Sequence, residues 1–339
     1  MSWTLYNGNK RLKTIQQEKL NNQVAELDVA TSENNIQESI AQVYIQILYA
    51  AESVKVNEST LQVSIAQRDR GQELLNAGSI AKSDFAQLEA QVSTDRYQLV
   101  TAQATLEDYK LQLKQLLELD GENEMNIYLP ALSDENVLAP LPTKKDVYIS
   151  ALSLRPEIEA SKLNVEASEL GIGIAKSSYL PTISLSAGIG TNHTSGSDFT
   201  FGEQVKNGWN NSIGLSVSVP IFNNRQTKSA VQKAKLQYET SMLSLLDEQK
   251  TLYKTIEGLW LDANSAQQRY AAANEKLKST QISYELISEQ FNLGMKNTIE
   301  LLTEKNNLLQ AQQEQLQAKY MAILNTQLLK FYQGDQLAL

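Results

Sequence analysis

The chain has 339 residues, a formal net charge of −9 and a mean hydropathy of −0.35. The negative charge argues against nucleic acid as a partner, because phosphate binding needs clustered Lys and Arg. Cysteine is absent, which excludes disulfides and thiolate metal sites, and His193 is the only histidine. We therefore predict no catalytic pair, no metal site and no cofactor. The sequence also lacks an apolar run of about 18 residues, so it predicts no membrane-spanning helix.

Residues 1–119 are predicted to form a first helical hairpin, since no proline occurs before Pro130. A helix from about Asn9 to Asn76 is followed by Gly78, which supplies the positive φ that closes a helix, and Ser79 or Ser83 is expected to cap the next helix. The returning helix has a coiled-coil pattern of apolar residues with Asp95 as its one break. Its apolar positions are Phe85, Leu88, Val92, Leu99, Ala102, Leu106, Tyr109, Leu113 and Leu116.

Residues 120–180 are predicted to be a connecting region. A polar connection from Asp120 to Pro142 precedes a short helix near 143–153 and a second helix from Pro156 to about Ser177. All six prolines of the chain lie between residues 130 and 220, so helices of great length are expected only outside this zone.

Residues 181–221 are predicted to form a β-hairpin. Apolar residues alternate with Thr, Ser and Gly over 182–190 and again after Trp209, and a polar loop lies between them. A strand pair with an apolar face and a small hydroxyl face fits a soluble sandwich, or a membrane barrel with lipid outside and water inside. Runs of about ten residues match tilted spanning strands, and Trp209 lies where an interfacial aromatic residue is expected.

Residues 222–339 are predicted to repeat the first helical hairpin. Asn76 and Asn292, Gly78 and Gly294, and Asp84 and Glu300 are each separated by 216 positions, as are Tyr44 and Trp260. We expect the two hairpins to pack side by side, with both tips at one end and the β-hairpin at the other. In the second returning helix the expected seam consists of residues seven apart: Leu302, Leu309, Leu316 and Ile323.

The sequence resembles the TolC-like outer-membrane efflux channel family. The resemblance is carried by the twin tips "NAGSIAKSDF" and "NLGMKNTIEL", by "LRPEIEAS", by "SSYLPTISLSAGIG" and by "SVSVPIFNN", in this order and with the duplication. It implies a mainly α fold with a small β part, in which long antiparallel coiled-coil hairpins build a tunnel across the periplasm. It also implies a homotrimer whose strands form one barrel in outer-membrane lipid.

The resemblance also implies functional residues and partners. Glu300 matches a position where the family carries a ring of aspartates, while the second ring falls on the uncharged Thr303. Asp84 matches an acid that ties neighbouring coils together in the closed state, with Phe291 and Lys296 at its partner positions. Alternatively, both acids only satisfy the dipole at the start of a helix.

The two exposed tips match the surface where the family meets a periplasmic adaptor, or membrane fusion protein, and through it an inner-membrane transporter. The tip positions are Asn76, Gly78, Ser79, Ile80, Asn292, Gly294, Met295 and Lys296. The exported substrate is not encoded in these residues. A competing hypothesis is a soluble coiled-coil structural scaffold with a small β cap.

One departure from the family concerns the start of the chain. The offset would place earlier copies of the 156–177 helix and the 182–190 strand before residue 1, and only Trp3 to Tyr6 corresponds to the end of the following strand. We therefore expect an N-terminally truncated member without a signal peptide and without the first strand pair. Because open strand edges are costly in lipid, we expect this chain alone not to conduct.

Overall fold

A computed structural model describes residues 1–119, 127–128, 130, 137–196 and 198–337. Most of the predicted polar connection from Asp120 to Pro142 lies outside these residues. The elements are β1 (Ser2–Asn7), α1 (Lys10–Asn76), α2 (Lys82–Leu116), α3 (Lys144–Leu154), α4 (Pro156–Ser177), β2 (Thr182–Gly190), α5 (Phe201–Asn207), β3 (Asn210–Ser218), α6 (Gln226–Asn292) and α7 (Thr298–Gln333). The predicted fold class, mainly helical with a small β part, is confirmed.

The chain divides into two compact units, and each unit contains parts of both sequence repeats. The first unit comprises residues 1–31 and 155–251, and the second comprises residues 32–154 and 252–339. The division by repeats at residues 119, 180 and 221 stays a prediction. In the described ranges every helix is too short or too polar to cross a lipid bilayer.

The two long helices, α1 and α6, have 67 residues each. At about 1.5 Å per residue each would extend roughly 100 Å if straight. The ends of α1 agree with the prediction because the signals are local. No proline interrupts either helix, and a glycine follows two residues after each C-terminus.

Both long helices begin after a two-residue turn with positive φ, in the first unit. Gly8 and Asn9 have φ angles of 66° and 64°, and their counterparts in the repeat, Asn224 and Arg225, have 49° and 62°. A Cβ atom at position 8 would lie 2.8 Å from the carbonyl oxygen of Ser177, so glycine is required there for space as well. The corner that leads into each helix is therefore duplicated along with the helix.

The three strands form one antiparallel sheet in the order β1-β2-β3. The pair β2–β3 was predicted from the sequence, and in the structure β1 also pairs with β2, with a bulge between Thr4 and Tyr6. Residues directly opposite one another share a face. One face therefore carries the apolar rows Trp3, Leu185, Leu215 and Tyr6, Ile183, Val217, and the other carries the rows Thr4, Ser184, Ser216 and Ser2, Ser186, Gly214.

In the first unit α4 packs against the beginning of α1. The side-chain amide of Gln17 donates to the carbonyl oxygen of Ala167 at 2.7 Å, and a Cβ atom on Gly173 would come within 2.9 Å of the Lys13 ammonium nitrogen. Gly173 therefore serves this close approach of a side chain.

In the second unit, two aromatic residues at repeat-related positions hold backbone carbonyls of the connecting region. The Tyr44 hydroxyl donates to the Tyr128 carbonyl oxygen at 2.7 Å, and the Trp260 indole donates to the Pro142 carbonyl oxygen at 3.0 Å. The Lys144 ammonium group lies 4.7 Å from the centre of the Trp260 ring. The repeat match between Tyr44 and Trp260 therefore corresponds to a shared task.

The helix α7 is the most deeply buried element of the second unit, and its seam differs from the predicted one. Leu309 of the predicted row is buried, but Leu302, Leu316 and Ile323 are only half-buried. The buried row begins one residue earlier and proceeds in steps of three or four residues: Leu301, Lys305, Leu308, Ala311, Gln315, Ala318, Ala322, Asn325, Leu329 and Tyr332. Leu316 and Ile323 of the predicted row still pack against the core cluster, and the buried row beside them includes the polar residues Lys305, Gln315 and Asn325.

Candidate functional site at the hairpin tips

The two tips have the same backbone turn. Gly78 and Gly294 have φ angles of 72° and 76°, and a Cβ atom at either position would meet nothing within 4 Å. The Ser79 amide donates to the Leu74 carbonyl oxygen and the Met295 amide to the Gln290 carbonyl oxygen, both at 2.8 Å. This pair of hydrogen bonds, together with a glycine amide bond three residues back, is the Schellman motif, which satisfies the last carbonyls of a helix.

The first tip begins its returning helix without a side-chain cap. The residue before α2 is Ala81, so neither Ser79 nor Ser83 caps the helix as predicted. Ser83 lies inside the first turn, because α2 already begins at Lys82. The Asp84 carboxylate accepts a hydrogen bond from the Ala81 amide, but at 3.4 Å this bond is long.

The second tip begins its returning helix with a complete capping box. The Asn297 side chain accepts from the Glu300 amide at 2.9 Å, and the Glu300 carboxylate accepts from the Asn297 amide at 3.2 Å. Lys296 also donates to Glu300 at 2.5 Å. The hydrogen bond from Lys296 and that from the Asn297 amide hold the pKa of the Glu300 carboxyl below its usual value.

The surfaces of the tips differ in apolar character. Leu293, Met295 and Ile299 of the second tip are each more than 60% exposed. In the first tip Ile80 is half-buried, and Asn76 and Ser79 are exposed. The second tip therefore presents the larger apolar surface to a partner.

The two tips lie next to each other in the second unit. Gln67 of α1 donates to the Tyr284 hydroxyl of α6 at 2.8 Å, and these residues lie nine and eight positions before the ends of their helices. Gln91 of α2 reaches Asn306 of α7 at 3.4 Å. The prediction that both tips lie at the same end is therefore confirmed.

A buried polar cluster behind the tips was missed by the sequence analysis. Ser64 of α1, Asp95 of α2 and Lys305 of α7 are 2%, 1% and 3% exposed. The Lys305 ammonium group donates to the Ser64 hydroxyl and to the Asp95 carboxylate, and Ser64 also donates to Asp95. Burial lowers the pKa of Lys305, and the hydrogen bond and charge of Asp95 oppose this shift. The signal that could have revealed the cluster was Asp95 itself, the one break in an apolar seam.

The other predicted site residue, Trp209, is exposed immediately before β3. Its position as an interfacial residue stays a prediction. Among the described residues, no group of three or more His, Asp or Glu side chains is arranged to hold a metal ion.

The structure thus combines duplicated long helical hairpins with a small sheet that has one apolar face. The family described as "Outer membrane efflux protein" matches residues 147–334. The chain therefore belongs to the outer membrane efflux protein family, which is a family of transport channels and not of enzymes. Its location is the outer membrane, with extension into the periplasm.

Two curated proteins illustrate the similarity in sequence. The outer membrane efflux protein BepC of Brucella suis biovar 1 (strain 1330) is 24% identical over 294 residues, which cover 86% of this chain and 61% of BepC. The outer membrane protein TolC of Escherichia coli (strain K12) is 23% identical over 311 residues, which cover 89% of this chain and 62% of TolC. The chain thus spans about three fifths of the length of these relatives.

Two solved structures illustrate the similarity in fold. A crystal structure of CusC matches with a TM-score of 0.85 at 18% identity. The match covers 99% of this chain and 76% of the CusC chain. The CmeC outer membrane channel of Campylobacter jejuni matches with a TM-score of 0.80 at 19% identity. The match covers 100% of this chain and 71% of the CmeC chain. These likenesses support the fold of the long helices and the sheet.

Proposed function

We propose that the chain is the outer-membrane channel, or exit duct, of a tripartite efflux or secretion system and exports small molecules through a trimeric periplasmic tunnel. The observation that carries the proposal is the two-faced sheet. The large side chains of β3, Ile213, Leu215 and Val217, are 85%, 67% and 59% exposed. Exposed apolar side chains opposite a face of Ser, Thr and Gly suit a strand with lipid outside and water inside.

The helical hairpins support the tunnel part of the proposal. A pair of helices of this length buries only part of its surface, so it needs neighbouring copies to complete its packing. Three protomers would then alternate first and second hairpins around an axis. The soluble scaffold hypothesis accounts for the helices alone, and membership in an outer-membrane family argues against it.

The paired acids support a selective constriction at the tips. Three copies of Glu300 around an axis would form a ring of carboxylates that attracts cations. The capping box gives this ring a fixed starting geometry, because it ties the carboxylate to the first turn of α7. Asp84, held by one long hydrogen bond, has freedom to reach a neighbouring coil.

The exposed tips support docking of a periplasmic adaptor that links the channel to an inner-membrane transporter. An adaptor that presents apolar hairpin tips of its own would cover Leu293 and Met295, which are exposed in this chain. The proposed docking positions are Asn76, Gly78, Ser79, Ile80, Asn292, Gly294, Met295 and Lys296.

The proposal is tested on the protein as its own cell makes it. We expect it to fractionate with outer membranes and to migrate as a heat-modifiable trimer in detergent. In planar bilayers the purified trimer is expected to conduct cations preferentially, and Glu300→Gln should reduce that preference and weaken block by multivalent cations. Asp84→Asn should raise the open probability more than it alters selectivity.

Glu107→Gln is the matched control, because Glu107 is an exposed acid of α2 that pairs with Lys110 at 2.7 Å. It should leave selectivity and gating unchanged. A detergent-independent soluble oligomer would favour the scaffold. If all three variants matched the unmodified protein in selectivity, block and gating, the tip acids would be ordinary helix-end residues.

A further inference from the structure

The buried cluster of Ser64, Asp95 and Lys305 joins three helices that belong to both repeats. It lies wholly within the second unit, behind the two tips. Leu88 and Val92 are buried before Asp95 on α2, and Leu301 and Leu308 are buried on either side of Lys305 on α7. The second carboxylate oxygen of Asp95 accepts a hydrogen bond from the half-buried Gln91 side chain at 2.9 Å. The contact between α7 and the first hairpin therefore contains a buried ion pair.

Burial of this ion pair favours a fully formed contact over a partly opened one. Separating α7 from α1 and α2 would leave an ammonium group or a carboxylate without its partner in a site of low polarity, which is strongly unfavourable. A small outward movement would lose these bonds without gaining hydration. Two distinct arrangements, joined or fully opened and wet, are therefore favoured over intermediate ones.

The cluster is not inherited from the repeat. At the repeat-related positions Ser64 corresponds to Thr280, Asp95 to Ala311 and Lys305 to Glu89. The repeated turn and acid at the tips are thus duplicated, while this contact occurs at one place only. A buried polar contact between helices is a device by which coiled coils select one register and one partner.

Lys305 and Glu300 lie five residues apart on α7, so whatever fixes Lys305 also fixes the first turn of the helix. We propose that Ser64, Asp95 and Lys305 form a latch that holds α7 against the first hairpin and thereby positions Glu300 at the constriction. The proposal rests on the channel function inferred above. The three residues act through Glu300 as positioning residues and need not touch the transported solute.

The first test measures the helix contact without any channel activity. The chain has no cysteine, so spin labels can be attached to cysteines introduced at two exposed positions, Gln87 of α2 and Asn307 of α7. Double electron–electron resonance is measured on the protein as its own cell makes it, with labelled chains diluted in unlabelled ones so that only the distance within one protomer contributes. It should give one narrow distance distribution. Lys305→Met should broaden it and shift it to longer distances. Asp95→Asn keeps an acceptor for Lys305 and should have a smaller effect in the same direction.

The second test measures gating and selectivity of the same variants in planar bilayers. Releasing the latch should raise open probability about tenfold in Lys305→Met, the scale of coupling within a buried network. It should also lower cation preference, since the Glu300 carboxylates would spread apart. Lys276→Met is the matched control, because Lys276 pairs with Glu314 of α7 at 2.7 Å in an exposed position. It should alter neither readout.

The outcomes separate the latch from the channel function. Unchanged label distances in the folded Lys305→Met and Asp95→Asn proteins would overturn the latch. Changed distances with unchanged open probability and selectivity would overturn its positioning role. Absence of conductance in the unmodified trimer would overturn the channel proposal, while the label distances would still decide whether the latch exists. If Lys305→Met does not fold, the milder Asp95→Asn variant decides by the same readouts.

Discussion

At the first tip, α2 begins after an alanine and its first acid makes one long hydrogen bond. At the second tip, α7 begins after an asparagine, and Glu300 is held by a reciprocal cap and by Lys296. The turn between the helices is the same at both tips, since backbone hydrogen bonds and a glycine with positive φ build it. A turn made of backbone survives duplication, and the side chains around it are free to diverge.

The divergence gives the tips different mechanical properties. Two orphan amides at the start of α7 are satisfied by side chains, so the first turn of that helix is held in place with its carboxylate. The start of α2 lacks this support, so it opens more easily. A ring of acids needs fixed positions, whereas an acid that links neighbouring coils needs reach. The two tips therefore suit the two different tasks proposed for Glu300 and Asp84.

The largest expected effect is a loss of local stability on replacing the turn glycine, and it should be equal at the two tips. Gly78→Val and Gly294→Val force a β-branched residue into a left-handed conformation, which should cost about 2 kcal/mol at each site. A Cβ atom would meet nothing within 4 Å at either position, so backbone strain is expected to dominate the cost. Hydrogen exchange of the Ser79 and Met295 amides measures local opening at each turn. A clearly unequal loss of protection would show that the two turns are not energetically equivalent.

The next largest effect concerns the N-cap residue, and the change in helix stability should have opposite signs at the two tips. Asn297→Ala removes the cap of α7 and should destabilise its first turn by about 1 kcal/mol, whereas Ala81→Asn should stabilise α2 by a similar amount. Hydrogen exchange of the Glu300 and Asp84 amides reports each turn. Ser83→Ala, inside the first turn of α2, is the control and should change little. A destabilising Ala81→Asn would mean that the first tip owes its open start to something other than its missing cap.

The ends of the long helices were predictable from the sequence because their signals are local. Gly78 and Gly294 mark the turns by residue type alone, and the absence of proline allows the length of α1 and α6. The β2–β3 hairpin and its two faces were equally accessible, since apolar and small polar residues alternate over 182–190 and 210–218.

The buried cluster and the true seam of α7 were not predictable in the same way. Lys305 has the appearance of a solvated helix residue, and only its pairing with Asp95, 210 positions earlier, makes its burial possible. Position-by-position patterns do not carry such pairings, because each residue alone favours the surface. The missing cap of α2 was mispredicted for a related reason. Two serines near the turn were plausible caps, and the choice of Ala81 depends on where the helix starts after the turn.

The smallest expected effect concerns the charge that distinguishes the second tip. Lys296 lowers the pKa of Glu300 from its ordinary 4.5, and the Asn297 amide contributes to the same shift. Because folding lowers the pKa of Glu300, its carboxylate stabilises the folded state at pH values above its ordinary pKa. This stabilisation is lost as pH falls through the pKa of the folded state. Lys296→Met should raise the pKa of Glu300 part of the way back. A carboxyl NMR titration measures this change.

Glu314 is the internal control for this titration, since it lies on the same helix and its own pKa is lowered by Lys276 and Gln310. It should titrate unchanged in Lys296→Met, and an unchanged Glu300 would show that the Asn297 amide alone holds the carboxylate. The repeat offers the reciprocal change. Position 80 of the first tip carries isoleucine where the second tip carries Lys296, so Ile80→Lys would give Asp84 a cation four residues away. Added protection of the α2 first turn by that substitution would show that the charge of Lys296 contributes to the difference between the tips.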